Sequence, residues 1–310
     1  MNRDDAIREC HDLWFRLFQR AYDASSFEML CTLLRPRGMH DAGWDVLDES
    51  QATFDDFNWI LEQTERLKGK ASTRRFALHY YCFLIEMSPI HEVMMNLLRT
   101  ISGQRYLPFP FAHLNRKKSK GSPWSTVPPS MRMKIREITK LSAKISENDL
   151  TDKIKYVFDD EIRNAIAHSD YTLTASEFRI RGTGFGKVIP LAELDQRIAF
   201  TFVFLSGLLK AFNNLKYALG KAKKFHKWDN YEVLELLSDE HGVYGFHVHF
   251  SNGSRSTFTR TKDGVMQINM RLRDGIGFMV GDLGKMEPVW KVNGVPVTDW
   301  DKLNGSNVAS

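Results

Sequence analysis

Apolar positions recur with helical spacing over most of the first two thirds of the chain. Between Arg8 and Tyr22, the residues Leu13, Trp14, Leu17, Phe18 and Ala21 fall on one face, and Phe54 to Leu67 repeats the spacing after the break RPRGMHDAGW. Arg74 to Ile101 reads as one long apolar helix bent at Pro89, because a proline inside a helix removes a hydrogen bond and crowds the preceding turn. Two further helices are expected, Met131 to Ile145 and Leu150 to His168. In the second, Ile154, Val157, Phe158, Ile162 and Ala165 form one stripe to be buried against a neighbour. Beyond His168 the period drops to two: YTLTASEFRIRG and KVIPL read as β segments around a Gly-rich turn. A helix from Ala192 to Leu219 follows, and the LAELDQ that leads into it is acidic, as a helix N-terminus prefers.

Two stretches depart from this pattern. SGQRYLPFPFAHLNRKKSKGSPWSTVPPS, residues 102–130, has no period and is rich in Pro, Gly, Ser and Lys, so it reads as a long loop of the kind that carries function or moves. After Lys227, Tyr244, Phe246, Val248 and Phe250 alternate with polar neighbours, as do Met266, Ile268, Met270 and Leu272. Asn252-Gly253 and Asp263-Gly264 supply turn chemistry for hairpins. The expected fold is mainly α, a helical bundle with a short β-hairpin over residues 1–227, then a small antiparallel β domain over residues 228–310 that ends in a short tail.

Bulk composition narrows the class. A chain of 310 residues, 43% hydrophobic and 26% charged, is that of a soluble globular protein with room for about two cores. The start, MNRDDAIREC, lacks the apolar segment of a secretory signal. The most apolar run, Ile198 to Leu209, stops at Lys210, which is short for a bilayer and suits a core helix. Cys10, Cys31 and Cys82 are widely spaced with no C-x-x-C, which argues against a disulfide framework and a zinc site. A cytoplasmic protein with no membrane partner is expected.

Charge adds a direction. The net charge is +5, yet Arg99 to Lys140 holds Arg99, Arg105, Arg116, Lys117, Lys118, Lys120, Arg132, Lys134, Arg136 and Lys140 against Glu137 alone. A second run, KYALGKAKKFHK, adds lysines and no acid. Cationic segments on an otherwise mildly acidic chain are the footprint of a polyanion.

The pattern R-x-x-x-x-H occurs as RPRGMH (Arg35 to His40), RRFALH (Arg74 to His79) and RNAIAH (Arg163 to His168). The first contains Pro and Gly and fits no regular helix; the second opens a helix of aromatic and aliphatic residues, where a core-lining His is expected. The third has a polar Asn164 after its Arg and small alanines around it, and it ends at HSDY before a strand. RNAIAHSDYTL resembles the hallmark of the HEPN superfamily, helical-bundle proteins that carry an Arg, usually with a polar neighbour, and a His a few positions further on. The resemblance spans roughly residues 50–225 and excludes the β domain. One related branch has a Tyr two places after the His; Tyr171 stands three after His168, so no role passes to it.

The resemblance implies a metal-independent endoribonuclease of the toxin or phage-defence type, with no cofactor. Its partners would be RNA and a second copy of the chain, with an antitoxin or sensor protein as a further candidate. Such cleavage needs a base for the ribose 2′-OH, an acid for the leaving oxygen and a cation at the strained phosphate. An imidazole at His168 suits the acid or base, the guanidinium of Arg163 the phosphate, and the amide of Asn164 positioning. At about 100° per residue, Asn164 and His168 lie about 40° apart but Arg163 and His168 about 140° apart. The resemblance answers this with two motifs lining one cleft across a two-fold axis, hence a homodimer.

Alternatives stand beside this. Arg163 could pair with Asp159 or Asp160 while His168 merely ends the helix, leaving a non-catalytic nucleic-acid or nucleotide-binding and dimerisation module. Arg116, Lys117, Lys118, Lys120, Arg132, Lys134 and Arg136 could neutralise RNA phosphates while Tyr106, Phe109, Phe111 or Trp124 stack on bases; or the loop is solvated and its aromatics anchor it to the core. In FHVHF, His247 and His249 share a strand face without an evident third ligand, so no metal site is assigned. Glu86 is a lone acid in an apolar helix, either facing a cleft or hydrogen-bonded. RGTGFG (Arg181 to Gly186) joins β segments rather than opening a helix, against a phosphate-cradling loop.

Overall fold

A computed structural model of the chain describes residues 3–35, 46–64, 71–117, 126–182, 186–222, 225–227, 233–240, 242–249, 255–260, 266–269, 291–292 and 295–296. The fold is mainly α with small antiparallel sheets. In chain order come α1 (Arg3–Ala24), α2 (Ser26–Leu34), α3 (Leu47–Thr64), α4 (Ala71–Glu86), α5 (Ser88–Ile101), the short strands β1 (Arg116–Lys117) and β2 (Thr126–Val127), α6 (Met131–Lys144), α7 (Asn148–Val157) and α8 (Asp160–Ala167). Then follow β3 (Tyr171–Leu173), β4 (Glu177–Ile180), β5 (Val188–Pro190), α9 (Leu191–Ala222), β6 (Phe225–Lys227), β7 (Val233–Asp239), β8 (Gly242–His249), β9 (Arg255–Arg260), β10 (Met266–Asn269), β11 (Lys291–Val292) and β12 (Val295–Pro296). Two compact units divide the chain, Met1–Phe15 with Glu49–Met94 and Phe111–Leu209, and Arg16–Asp48 with Met95–Pro110 and Lys210–Ser310.

The first unit is organised around α9. Trp14 on α1 is buried, donates its indole N–H to the Phe204 carbonyl at 2.8 Å and stands 4.9 Å from the Phe204 ring. Gly207 lies where that approach is tightest: a Cβ there would come 3.3 Å from Trp14 Cδ1, so the helix keeps a residue with no side chain. Phe54 and Phe57 of α3, Tyr80 and Phe83 of α4 and Phe202 of α9 make a second aromatic cluster. By length and composition Leu191–Leu219 is apolar enough to cross a membrane, and half of an 18-residue apolar window within it is buried inside the protein. The short apolar run is thus the middle of a much longer helix than its own length suggests.

Two expected helices are each broken in two. The stretch from Arg74 to Ile101 stops at Glu86 and restarts at Ser88, which places Pro89 in the first turn of α5, where its missing N–H costs nothing. Leu150 to His168 breaks at Phe158 and Asp159. Asp159 caps α8 with Oδ1, which accepts the N–H groups of Glu161 at 3.0 Å and Ile162 at 3.1 Å. The stripe survives the break: Ile154, Val157, Phe158, Ile162 and Ala165 are all buried. The expected hairpin is a three-stranded antiparallel sheet in the order β3-β4-β5, with Phe178 fully buried and stacked on Tyr171 at 5.0 Å. The connection from β4 to β5 carries RGTGFG, of which 183–185 lie outside the described residues.

In the second unit, α2 has a Ser25 cap and ends at Arg35 in left-handed backbone (φ 52). Buried Glu28 accepts the Tyr106 N–H at 2.5 Å. A five-stranded antiparallel sheet runs β10-β9-β8-β7-β6, with a register shift between Leu237 and Ser238, and β11 pairs with β12. His247 and His249 occupy alternate positions of β8. Residues 36–45, 65–67, both expected hairpin turns, Phe250, Met270, Leu272 and the tail lie outside the described residues.

Trp14→Ala is expected to cost about 3–5 kcal/mol, since it empties a large aromatic site against α9. Urea unfolding of the two proteins measures this as a lowered midpoint at unchanged slope.

Candidate functional site

The break at Asp159 decides where the motif sits. Its Oδ1 caps α8, and its Oδ2 accepts from Arg197 Nη1 at 3.2 Å. Arg197 also donates to the Tyr156 carbonyl at 2.8 Å and stacks over the Tyr156 ring at 4.7 Å. Tyr81 of α4 donates to the Val157 carbonyl at 2.8 Å and its hydroxyl accepts the Asp159 N–H at 3.3 Å; burial raises its pKa, so it stays a phenol. These contacts give α8 its own axis, separate from α7.

On α8, Ile162, Ala165 and Ile166 face the core while Asn164 and His168 are exposed one turn apart. His168 is the C-cap residue, and its N–H reaches the Asn164 carbonyl at 3.0 Å. Ser169 turns the chain through left-handed backbone (φ 57), and the Asp170 N–H closes on the Ala165 carbonyl at 2.8 Å before β3 begins.

Arg163 leans the other way, toward α4. Its Nη1 donates to Asn164 Oδ1 at 2.8 Å, its Nη2 lies 2.5 Å from Glu86 Oε1, and its Nε is buried without a hydrogen-bond partner. The Glu86 contact is made off the N–H axis, so it is an ion pair rather than an aligned hydrogen bond. Arg163 therefore does not take Asp159 or Asp160. Asp159 belongs to Arg197 and the helix cap, and Asp160 pairs with Arg132 at 3.1 Å. Cys82 donates its thiol to the Arg163 carbonyl at 3.8 Å; burial pushes that thiol up to about 11, with Arg163 opposing and Glu86 reinforcing.

The basic residues are placed unevenly around this. Arg132 and Arg136 are exposed on α6, one turn apart, with Arg132 tied to α8 through Asp160. Lys134 points inward: it donates to Ser88 Oγ, sits over the Phe111 ring at 5.9 Å, and is depressed by burial while Glu92 and Glu86 oppose that shift. Arg116 is exposed on β1, where Lys117 pairs in register with Thr126. Lys118, Lys120 and Trp124 lie outside the described residues. Tyr106 and Phe111 are 2% and 4% exposed, so they anchor the segment and are not available as stacking platforms.

Of the other R-x-x-x-x-H strings, RRFALH is the one described in full. Arg35 ends α2, with 36–40 beyond the described residues. Arg74 pairs with Asp195 at 3.1 Å, and His79, expected to line the core, is exposed between buried Leu78 and Tyr80. Among the described residues no cluster of His, Cys, Asp and Glu could hold a metal ion. A cleft of about 1060 Å³ in the same unit, lined by Tyr80, Tyr156, Phe200 and Phe202, excludes the motif residues. Three of the acids that line it are paired, Glu9 and Asp149 with Lys153 and Asp195 with Arg74. The chain matches no family model, no curated protein and no solved structure.

Sequence reasoning undervalues Glu86, whose isolation in YYCFLIEM is the available signal of a charge partner from another helix. On α5, His91 is 1% exposed and stands edge-on to Phe158 at 5.4 Å. Burial, with a contribution from Lys134 and against the Ile85 carbonyl, brings its pKa from 6.5 down to about 3.

Two outcomes follow from this geometry. Asp159→Ala should lose about 1–3 kcal/mol, the cap plus the stranded Arg197, while Asp159→Asn, an equally good cap, should lose less; denaturant midpoints rank the three proteins. Unfolded His91 gains its proton near pH 6.5 and folded His91 only near 3, so stability is full above 6.5 and declines as the pH falls through that window. Melting temperatures at pH 7, 5 and 4 should fall less steeply in His91→Leu than in the wild type.

Proposed function

We propose that this protein is a metal-independent endoribonuclease of the HEPN type, with Arg163, Asn164 and His168 as its catalytic group. One observation carries the reading: a polar amide and an imidazole stand exposed one turn apart at the end of a short, independently capped helix, with a half-buried guanidinium at their flank. Of the residues that match the motif, the two whose roles need solvent contact have it. The one whose role is electrostatic is held by neighbours.

In this reading His168 takes or returns the proton of the ribose 2′-OH, which attacks the adjacent phosphorus. The P–O5′ bond breaks and the 5′-oxygen leaves with a proton from a protonated imidazole, giving a 2′,3′-cyclic phosphate and a 5′-hydroxyl end. Arg163 offsets charge on the phosphate oxygens and Asn164 orients the imidazole or the phosphate. The substrate provides the nucleophile, so DNA does not react. Arg163 and His168 project from different sides of α8, so the active form is a homodimer whose two motifs share one cleft. Exposed Arg116, Arg132 and Arg136 supply phosphate contacts, and a toxin or phage-defence role with a protein inhibitor or trigger fits such an enzyme.

A second reading rests on the ion pair of Arg163 with Glu86. A guanidinium already neutralised in the free protein could be structural, which makes the chain a non-catalytic nucleic-acid-binding or dimerisation module. One experiment separates the two. Purified protein is incubated with end-labelled RNA in excess EDTA, and cleavage ending in a cyclic phosphate is expected for the wild type. In His168→Ala and Arg163→Ala that cleavage should fall by at least about 100-fold. RNA binding without cleavage selects the module, and cleavage that stops on adding EDTA sinks the metal-free mechanism.

A further inference from the structure

Glu86 is the C-terminal residue of α4 and the one acid in the apolar stretch Tyr80 to Met87. A carboxylate beside a phosphate-binding arginine is a puzzle, because it occupies the charge the substrate must use. The local arrangement resolves it. Arg163 Nη2 lies 2.5 Å from Glu86 Oε1 and Nη1 donates to Asn164 Oδ1 at 2.8 Å, so the two terminal nitrogens are anchored by different side chains. Nη1 still has a second N–H, Nη2 keeps both of its own because the Glu86 contact is an ion pair rather than an aligned hydrogen bond, and 31% of the side chain remains exposed. The same carboxylate, together with Glu92, acts on Lys134, so Glu86 is shared between two cations rather than given to Arg163 alone.

An arginine side chain is rich in rotamers, and free Arg163 would lose that freedom on gripping a phosphate. Anchors at both ends of the fork remove most of that loss before substrate arrives. The hydrogen bond to Asn164 also fixes the direction of the guanidinium, the Glu86 charge keeps it on that side, and direction is what transition-state stabilisation requires. Cys82 below the Arg163 carbonyl and the break after Glu86 hold the two backbones that carry the pair.

We propose that Glu86 is a positioning residue: it acts through Arg163, holding the guanidinium in the orientation used on the scissile phosphate. This rests on the nuclease reading above. A mere competitor for Arg163 would weaken RNA binding and leave turnover alone, and a stability-only pair would affect folding alone.

The test uses the full-length protein and a labelled single-stranded RNA in EDTA, with kcat and KM measured separately and the folded fraction checked by circular dichroism. Glu86→Ala is expected to lower kcat about 10- to 100-fold with KM changed little, the size of effect that slight misplacement of a reacting group produces. Glu86→Gln removes the charge that makes this contact an ion pair, so it should lower kcat nearly as far as Glu86→Ala, again with KM changed little. In an Arg163→Ala background, Glu86→Ala should cost nothing further, since its target is gone. A Glu86→Ala protein with unchanged kcat per folded molecule overturns the proposal, as does an additive loss in the double variant. Tighter RNA binding at unchanged kcat in both single variants also overturns it, in favour of competition. If the wild type cleaves and Arg163→Ala does not while Glu86→Ala is unaffected, only the positioning role falls. No cleavage by the wild type removes the nuclease reading and the positioning role together.

Discussion

The candidate site depends on one carboxylate with two separate tasks. Asp159 uses Oδ1 to cap α8 and Oδ2 to hold Arg197. A continuous helix from Asn148 onward would satisfy the same backbone donors without help, so the break must be compensated by other partners. The cap, the Tyr81 hydroxyl against Val157 and Asp159, and the Arg197 contact with the Tyr156 carbonyl supply them. Arg197 is only 14% exposed and stacked on Tyr156, so its charge needs this partner more than a surface arginine would. The consequence reaches the motif: α8 turns as an independent short segment, and the rotation that buries Ile162 and Ile166 exposes Asn164 and His168.

Burial is easier to read from the sequence than continuity. The stripe from Ile154 to Ala165 is visible because apolar spacing reports which side faces the core, and that holds whether the backbone runs straight or breaks. The break is written in the sequence too, as an Asp followed by Asp160 and Glu161. Yet acids are ordinary on a helix surface, and nothing local shows that Arg197, far along the chain, takes the second oxygen. Pro89 carries a similar ambiguity. A proline in mid-run fits a kink or a fresh start, and the restart at Ser88 places it in the first turn, where it is tolerated.

Partners of charged residues are the least legible feature. Asp159 and Asp160, close to Arg163 in sequence, are each claimed by a cation from another helix, and Arg163 goes to Glu86. Helical neighbours compete with tertiary ones for a long flexible guanidinium, and the tertiary acid has the advantage when it is half-buried and has few other partners. His79 shows the converse. The aromatic company around it points to the core, but on a helix that buries both Leu78 and Tyr80 the position between them faces outward.

The same competition qualifies what a charge sum can say. The run from Arg99 to Lys140 is strongly basic, and such an excess is evidence for a polyanion only where the charges point to solvent. Arg132 is engaged with Asp160, Lys134 is folded inward on Ser88 and over Phe111, and Phe111 and Tyr106 are spent on anchoring. Arg132 nevertheless stays 81% exposed while paired, because the contact uses Nε and leaves the end of the fork outside. A surface pair of this kind is worth little in stability and yields readily to a phosphate. The pairing between α6 and α8 thus does more to register the cationic helix beside the motif than to neutralise it. Arg136, one turn further on, extends that face in the same direction.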